Sequence, residues 1–470
     1  MFRKILLLLS GNVAISLVLF LRMILIARVI SVADFGIAST FMISVTIMQL
    51  LSNIGLNQMI IQASDGDAAE LQKALQGIQA LRGILGSVLL FLIARPMAEF
   101  LGQGEITWAY QVLALVPILT GFAHFDVFRQ QRRMRYGPFI LTQLVPPVIS
   151  VLLIWPLERV FGDWQVMLWS IMAQWTANLV LTHLVAERRY AIGFDRKVLK
   201  RGIAFGWPLL VNGVMLFVIY QGERMVVGRE LGMADLAIFS MTLSLVQTPM
   251  GAVIRAVQQF LLPQIAAVKD DDARFGAMAA VTVQASGFAM AVMVAGVFLV
   301  GPSLVVLALG ERYRPVNDLL LMMATVELIR SVRAGLSQVA LARAKTGNGP
   351  LSNIPRVAAI GLSWYLLIHG AGLSTVLVVA LCGETAGFAV ALLLARRFAG
   401  MALAPVRLGI ATLALLVAAL VAASPQSGLD LPMAVSGSAV GASFAVFAVS
   451  LRHLWSYLRA RRMNAYDDPA

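Results

Sequence analysis

Nine ionisable side chains fall inside apolar stretches of this sequence, and their types limit the chemistry they could do: Arg22, Arg82, Glu223, Arg224, Arg255, Glu327, Arg330, Arg333 and Glu384. A charge at the centre of a bilayer costs about 3 kcal/mol or more, so such groups face a bundle interior or a water-filled cavity. Arginines outnumber glutamates two to one in this set, which makes the interior net cationic. A guanidinium presents a planar fork of donors that matches phosphate and carboxylate oxygens. The surplus therefore suits an anionic ligand, whereas an exporter of cations is expected to carry a surplus of carboxylates.

Spacing divides the nine. Glu327, Arg330 and Arg333 stand at i, i+3 and i+6 and cover one face of a helix, the first two close enough to pair. A ligand site and an ion pair that orders neighbouring helices are both open readings of that trio. Glu223 and Arg224 are adjacent, so they point about 100° apart and are expected to pair with other helices rather than with each other. Arg22 and Arg255 lie about 9 and 10 Å from the ends of their helices, within reach of snorkelling; Arg82 is nearer the middle of its span. Asn12, Asn53, Asn57, Gln58, Asn212, Gln221, Gln247, Gln258 and Gln259 add amides that could bind sugar hydroxyls or join helices. Pro117, Pro146, Pro147, Pro208 and Pro249 fall inside the same stretches, as hinges or as packing kinks.

Catalytic and cofactor chemistry find little support. His124, His183, His369 and His453 are scattered; His124-Phe125-Asp126 lacks further ligands for a metal. Cys382 is the only cysteine, so there is no disulfide framework or thiolate metal site. There is no Walker A run. We expect no enzyme, no cofactor and no metal, with transport driven by an ion gradient, the membrane potential or the substrate's own gradient.

The elements that carry these residues are membrane helices. The chain of 470 residues is 59% hydrophobic and 13% charged, with mean hydropathy +0.83, where soluble domains carry about 25% charged residues. Apolar runs recur end to end, predicting helices near 5–28, 36–61, 74–94, 108–127, 138–157, 164–186, 203–228, 234–262, 276–300, 316–342, 353–369, 373–394, 404–423 and 432–454. The basic start, Met1 to Lys4, resembles a signal peptide, but its apolar run is too long and lacks a cleavage site, so it reads as a retained first helix.

The net charge of +13 is explained by the positive-inside rule before nucleic acid is invoked. With the N-terminus inside, one side collects Arg129, Arg132, Arg133, Arg135, Arg188, Arg189, Arg196, Lys197, Lys200, Arg201, Arg396, Arg397, Arg459, Arg461 and Arg462. The other carries only Arg28, Arg95, Arg159, Arg229, Arg312 and Arg314. Both termini are therefore expected in the cytoplasm, and the short outward loops leave no room for an outer catalytic domain.

Residues 27–37 repeat at 228–238. Arg28 matches Arg229, Ala33-Asp34 matches Ala234-Asp235, and Ile37 matches Ile238. Both copies sit between an odd and an even helix, six helices apart, which implies parallel halves. The expected organisation is an all-α polytopic membrane protein of about fourteen transmembrane helices: an N-terminal lobe 1–201, a C-terminal lobe 202–400, two additional helices in 401–456 and a tail 457–470.

These repeat openings resemble a known family. Arg28-x-x-Ser31-x-x-Asp34-Phe35-Gly36, then Asn53-Ile54-Gly55-Leu56 and Ile60-Ile61-Gln62, are similar to the opening helices of Wzx-type polysaccharide flippases. Phe205-Gly206-Trp207-Pro208, Gly228 to Phe239, Pro249 and Gln259 to Pro263 resemble the start of their second half. The superfamily is that of multidrug, oligosaccharidyl-lipid and polysaccharide exporters. The resemblance implies two six-helix lobes about a cationic cavity that faces each side in turn. Its implied cargo is undecaprenyl-pyrophosphate-linked oligosaccharide, moved from the cytoplasmic to the periplasmic leaflet of a bacterial inner membrane for lipopolysaccharide, capsule or exopolysaccharide assembly. Membrane lipids, a polysaccharide polymerase and glycosyltransferases are the implied partners. Glu223-Arg224 departs from the family's Asp-Arg pair. On this reading Arg22, Arg82 and Arg255 hold the pyrophosphate, with Glu223, Arg224, Glu327, Arg330 and Arg333 as further cavity residues. The alternatives are a cation-coupled drug exporter, a membrane glycosyltransferase, polymerase or ligase of the same pathway, and a non-transporting scaffold.

Overall fold

The computed structural model describes residues 2–52, 56–62, 65–343, 348–399, 401, 407–428, 435 and 437–449, and the side chains of these except at 2–13, 48–52, 58, 59, 62, 197, 199–212 and 399. Asn53, His453, Arg459, Arg461, Arg462 and the tail 457–470 lie outside the described residues, as do the side chains of Asn12, Gln58, Lys197, Lys200, Arg201, Pro208 and Asn212. Among the described residues all regular structure is helical.

Contacts divide the chain into two compact units, Met1–Ser240 and Met241–Ala470. The first holds α1 (Phe2–Val29), α2 (Val32–Ser52), α3 (Leu56–Gln62), α4 (Ala69–Phe100), α5 (Thr107–Leu113), α6 (Val116–Gly121), α7 (Asp126–Arg132), α8 (Gly137–Leu152), α9 (Ile154–Phe161), α10 (Gln165–Leu184) and α11 (Arg196–Glu230). The boundary falls within α12 (Met233–Ala267). The second unit continues through α13 (Asp272–Leu309), α14 (Val316–Ala342), α15 (Asn348–Ile368), α16 (Leu373–Ala399), α17 (Arg407–Ala423) and α18 (Gly437–Val449).

Every window expected from hydropathy carries helix, and among the described residues the fourth and fifth are broken. Both breaks have a plain cause. Pro117 has no N–H to give the Leu113 carbonyl, and α5 ends at Leu113; Pro156 likewise cannot bond Leu152, and α8 ends there. Gly370, at φ +89°, turns the chain between α15 and α16. Among the described residues six helical segments are long and apolar enough to span a membrane, and the bent pair Gly104–Gly121 and Asp126–Arg132 makes a seventh if taken as one broken span. In α14 the trio Glu327, Arg330 and Arg333 interrupts any membrane-length apolar stretch.

In the first unit, α4 packs against α6, α5, α2 and α11, and α8 against α10 and α1. Gly83 and Gly121 set the approach of α4 to α6: a Cβ on Gly83 would stand 2.8 Å from the Gly121 Cα, the small-residue crossing that membrane helices favour. In the second unit α14 is the central helix. It is buried on every face from Leu319 to Arg333 and contacts α13, α16, α15 and α17. Phe447 of α18 packs over Gly287 of α13.

Candidate functional site

A cavity of about 510 Å³ lies within the first unit, and Arg82 is its charged residue. Arg82 stands on α4 between Gln79 and the Gly83 crossing. Gln79 Nε2 donates to the Thr120 carbonyl at 2.7 Å and so fixes its amide against α6. Across the cavity, Asn178 Nδ2 of α10 donates to the Thr142 carbonyl of α8 at 2.8 Å. Asn57, Gln143, Trp175 and His124 complete the polar and aromatic lining. Among the described residues Arg82 makes no hydrogen bond or ion pair, and its buried Nε has no acceptor.

Beside the lining residues His124, Val127 and Phe128, an ion network ties α7 to the segment after α10. Arg129 binds Asp126 through Nε at 2.5 Å and Glu187 through Nη2 at 2.7 Å, while Arg135 also pairs with Glu187. Arg129, and then Arg135, hold the Glu187 carboxyl below the usual glutamate range. His124 is spent on local structure: Nδ1 accepts from the Asp126 N–H at 3.1 Å, so Nε2 donates to the Arg188 carbonyl at 3.0 Å. Part of the basic segment 129–135 is thus neutralised, since Arg133 also pairs with Asp67 at 2.8 Å.

Arg22 goes elsewhere. It is buried, donates to Ser150 Oγ at 3.1 Å and to Gln174 Oε1, and ties α1 to α8 and α10. Ser150 in turn shares a hydrogen bond of 2.7 Å with Ser170. Arg224 donates to Gln221 Oε1, one turn back on α11, at 3.3 Å, and Glu223 lies within electrostatic reach of it. Gln221 Nε2 donates to Thr46 Oγ1 of α2 at 3.1 Å.

The second unit brings Glu327, Arg330 and Arg333 into one buried cluster. Arg330 pairs with Glu327, as the i, i+3 spacing predicts, and with Glu384 of α16 at 2.6 Å. Arg333 reaches Glu384 at 3.4 Å and donates to Ser352 Oγ and Asn353 Oδ1 at 3.0 and 3.1 Å. Arg356 of α15, which the sequence reading passed over, binds Glu384 Oε1 at 2.6 Å, the oxygen that Arg330 also binds. Three guanidiniums against two carboxylates leave the cluster one positive charge in excess. Arg356 was missed because the eleventh window began at 353, whereas α15 begins at Asn348 and carries Arg356 two turns inward. Arg255, also in this unit, is exposed, lies back over Gly251 and has no hydrogen bond or ion pair among the described residues.

The cavity amides Gln79, Gln143 and Asn178 were also missed, since single amides in apolar helices carry no spacing signal. The structure thus commits Arg22, Arg330 and Arg333 to protein partners. Among the described residues it leaves Arg82 and Arg255 without any.

Comparison with known proteins bears on this arrangement. The family model described as "Polysaccharide biosynthesis protein" matches residues 25–318. The succinoglycan biosynthesis transport protein ExoT of Rhizobium meliloti is 24% identical over 298 residues, covering 61% of this chain and 58% of ExoT. The lipopolysaccharide biosynthesis protein WzxC of Escherichia coli is 20% identical over 347 residues, covering 69% of this chain and 66% of WzxC. The chain therefore matches less than two thirds of the length of either. Among solved structures, the lipid II flippase MurJ in an inward closed conformation superposes with a TM-score of 0.70 at 11% identity over 95% of this chain and 99% of its own. An inward-facing MATE family multidrug resistance transporter of the MOP superfamily gives 0.65 at 12% identity over 82% and 94%. At such identities the likeness is one of fold, an all-α polytopic membrane fold of the MATE and MurJ kind. With most of its length inside the family model, and with ExoT and WzxC among the proteins it resembles, the chain belongs to the polysaccharide biosynthesis protein family.

Proposed function

We propose that this protein is a flippase for lipid-linked oligosaccharides. It takes undecaprenyl-pyrophosphate-linked glycan from the cytoplasmic to the periplasmic leaflet of the bacterial inner membrane and delivers it to a polymerase for lipopolysaccharide, capsule or exopolysaccharide assembly. The architecture behind this reading is fourteen spans, six in residues 1–201, six in 202–400 and two in 401–456, with both termini cytoplasmic. Alternating access comes from rocking of the two parallel halves, while the prenyl chain stays in lipid.

One observation carries the reading: among the described residues, Arg82 and Arg255 are cations in membrane helices with no protein partner. A guanidinium left uncompensated at membrane depth costs about 3 kcal/mol, and an anionic group on a transient ligand offsets that cost. Cationic drugs would be repelled by the same groups, which disfavours the drug-exporter reading despite the MATE-like fold. The test is translocation of an undecaprenyl-pyrophosphate-linked oligosaccharide in proteoliposomes containing the full chain. Wild type is expected to expose the glycan on the far leaflet, and the Arg82→Gln/Arg255→Gln double variant to lower the rate at least tenfold at equal protein. Translocation of cationic dyes but not of the glycan lipid would overturn the assignment.

A further inference from the structure

The cavity in the first unit carries a donor and acceptor pattern that narrows its ligand. Its volume, about 510 Å³, lies in the range of small-molecule sites, roughly 300–1,000 Å³. The two fixed amides spend their N–H groups on protein: Gln79 on the Thr120 carbonyl at 2.7 Å and Asn178 on the Thr142 carbonyl at 2.8 Å. Their oxygens accept nothing from the described residues and are not sealed from the cavity. Thr142 donates to the Phe139 carbonyl in its own helix at 2.9 Å and leaves lone pairs, whereas Thr182 donates to the Leu179 carbonyl at 2.7 Å and accepts the His124 N–H at 3.1 Å. The wall is therefore rich in acceptors, with Arg82 as its one charged donor and the Trp175 indole as an apolar plate.

Such a wall complements a molecule with several O–H donors, one anionic group and an apolar C–H face. A bare phosphate leaves the Gln79, Asn178 and Thr142 oxygens without donors; a neutral polyol leaves Arg82 uncompensated. We infer that this cavity is a sugar subsite that takes a hydroxyl-rich sugar bearing an acidic group, with Arg82 on the anion, Gln79 and Asn178 on hydroxyls and Trp175 against the ring. The inference rests on the flippase reading and deepens it: the cargo is selected by its sugar as well as by its lipid phosphate. The anion has two chemical sources, the phosphate that links the first sugar to the lipid or the carboxylate of an acidic sugar in the glycan.

The experiment uses the full chain in lipid nanodiscs and saturation-transfer NMR with four soluble probes: glucose 1-phosphate, glucuronate, glucose and inorganic phosphate. Saturable binding is expected for at least one acidic sugar, at least tenfold tighter than for glucose or inorganic phosphate. Preference for glucose 1-phosphate assigns the linkage phosphate; preference for glucuronate assigns an acidic sugar. Arg82→Gln should weaken the acidic sugar at least tenfold, Arg82→Lys by less, and Trp175→Ala should weaken acidic sugar but not inorganic phosphate. An unchanged thermal midpoint in Arg82→Lys and Trp175→Phe guards against misfolding. No saturable binding by either acidic sugar, or inorganic phosphate binding as tightly as both, overturns the subsite. Translocation of glycan lipid by wild type with no probe binding sinks the subsite alone, whereas probe binding without translocation sinks the flippase reading alone.

Discussion

Arg22 and Arg82 are the same residue type, each in an apolar helix, yet their surroundings give them different work. Arg22 meets Ser150 and Gln174 and joins three helices; Arg82 meets a cavity and, among the described residues, no protein acceptor. Glu384 shows how much one carboxylate can hold, since Arg330, Arg333 and Arg356 all converge on it. Removing one partner of a buried ion cluster costs about 3–5 kcal/mol because the remaining charges stay buried. Glu384→Gln is therefore expected to lower the thermal midpoint of the purified protein sharply and to cut its yield from the membrane, while Cys382→Ser, on the same helix and exposed, leaves both unchanged.

Glu187 makes a pH-dependent counterpart outside the spans. Arg129 and Arg135 depress its pKa in the folded state, so the unfolded chain takes up its proton first as pH falls. The stabilisation is complete above the ordinary glutamate value of about 4.3 and is lost as pH drops through the lowered one. Glu187→Gln should reduce the thermal midpoint at pH 7, and the gap from wild type should close below about pH 4; a gap that widens on acidification contradicts the ion-pair account.

At the scale of elements, the repeat is seen in the joints. α1 ends at Val29 and α2 begins at Val32, while α11 ends at Glu230 and α12 begins at Met233, matching positions of the two copies. The first joint is capped by Ser31, whose Oγ accepts from the Asp34 N–H at 3.0 Å; the second uses Gly232 at φ +90°. The two copies also touch. A Cβ on Gly36 would fall inside the Met233 carbonyl, so only glycine allows this approach. Around it Arg229 donates to the Phe100 carbonyl at 2.7 Å and lies over the Phe100 ring, at the C-terminal end of α4 where a cation complements the helix dipole. Gly36→Val is expected to destabilise the folded protein by about 1–3 kcal/mol through overpacking, Gly36→Ala by less, read as a graded fall in thermal midpoint. Equal midpoints for all three would show that the contact yields without strain.

For the whole molecule, superposition on MurJ over 95% of the chain sets the fold class, and the family model sets the kinship. Orientation is the next test at this scale. The excess of arginine and lysine on alternate loops predicts that alkaline phosphatase fused after residue 470 stays inactive, while fusion within the turn at His369–Gly372 gives active enzyme. The opposite pattern would invert the topology and with it the proposed direction of transport.

Hydropathy alone determined that the chain is helical and membrane-embedded, because an apolar run of about 20 residues has few stable places other than a bilayer. The i, i+3 spacing was enough to predict that Glu327 and Arg330 pair, because both lie on one turn of one helix. Which arginines are neutralised was decided only by tertiary structure: Arg330, Arg333 and Arg356 come from two helices and meet a carboxylate on a third. The same holds for the cavity, whose amides come from α3, α4, α8 and α10. No periodicity marks them, since a partner reached across space leaves no trace in the spacing of either helix. Of the nine charges in apolar stretches, seven meet protein groups in the folded chain, and among the described residues Arg82 and Arg255 meet none.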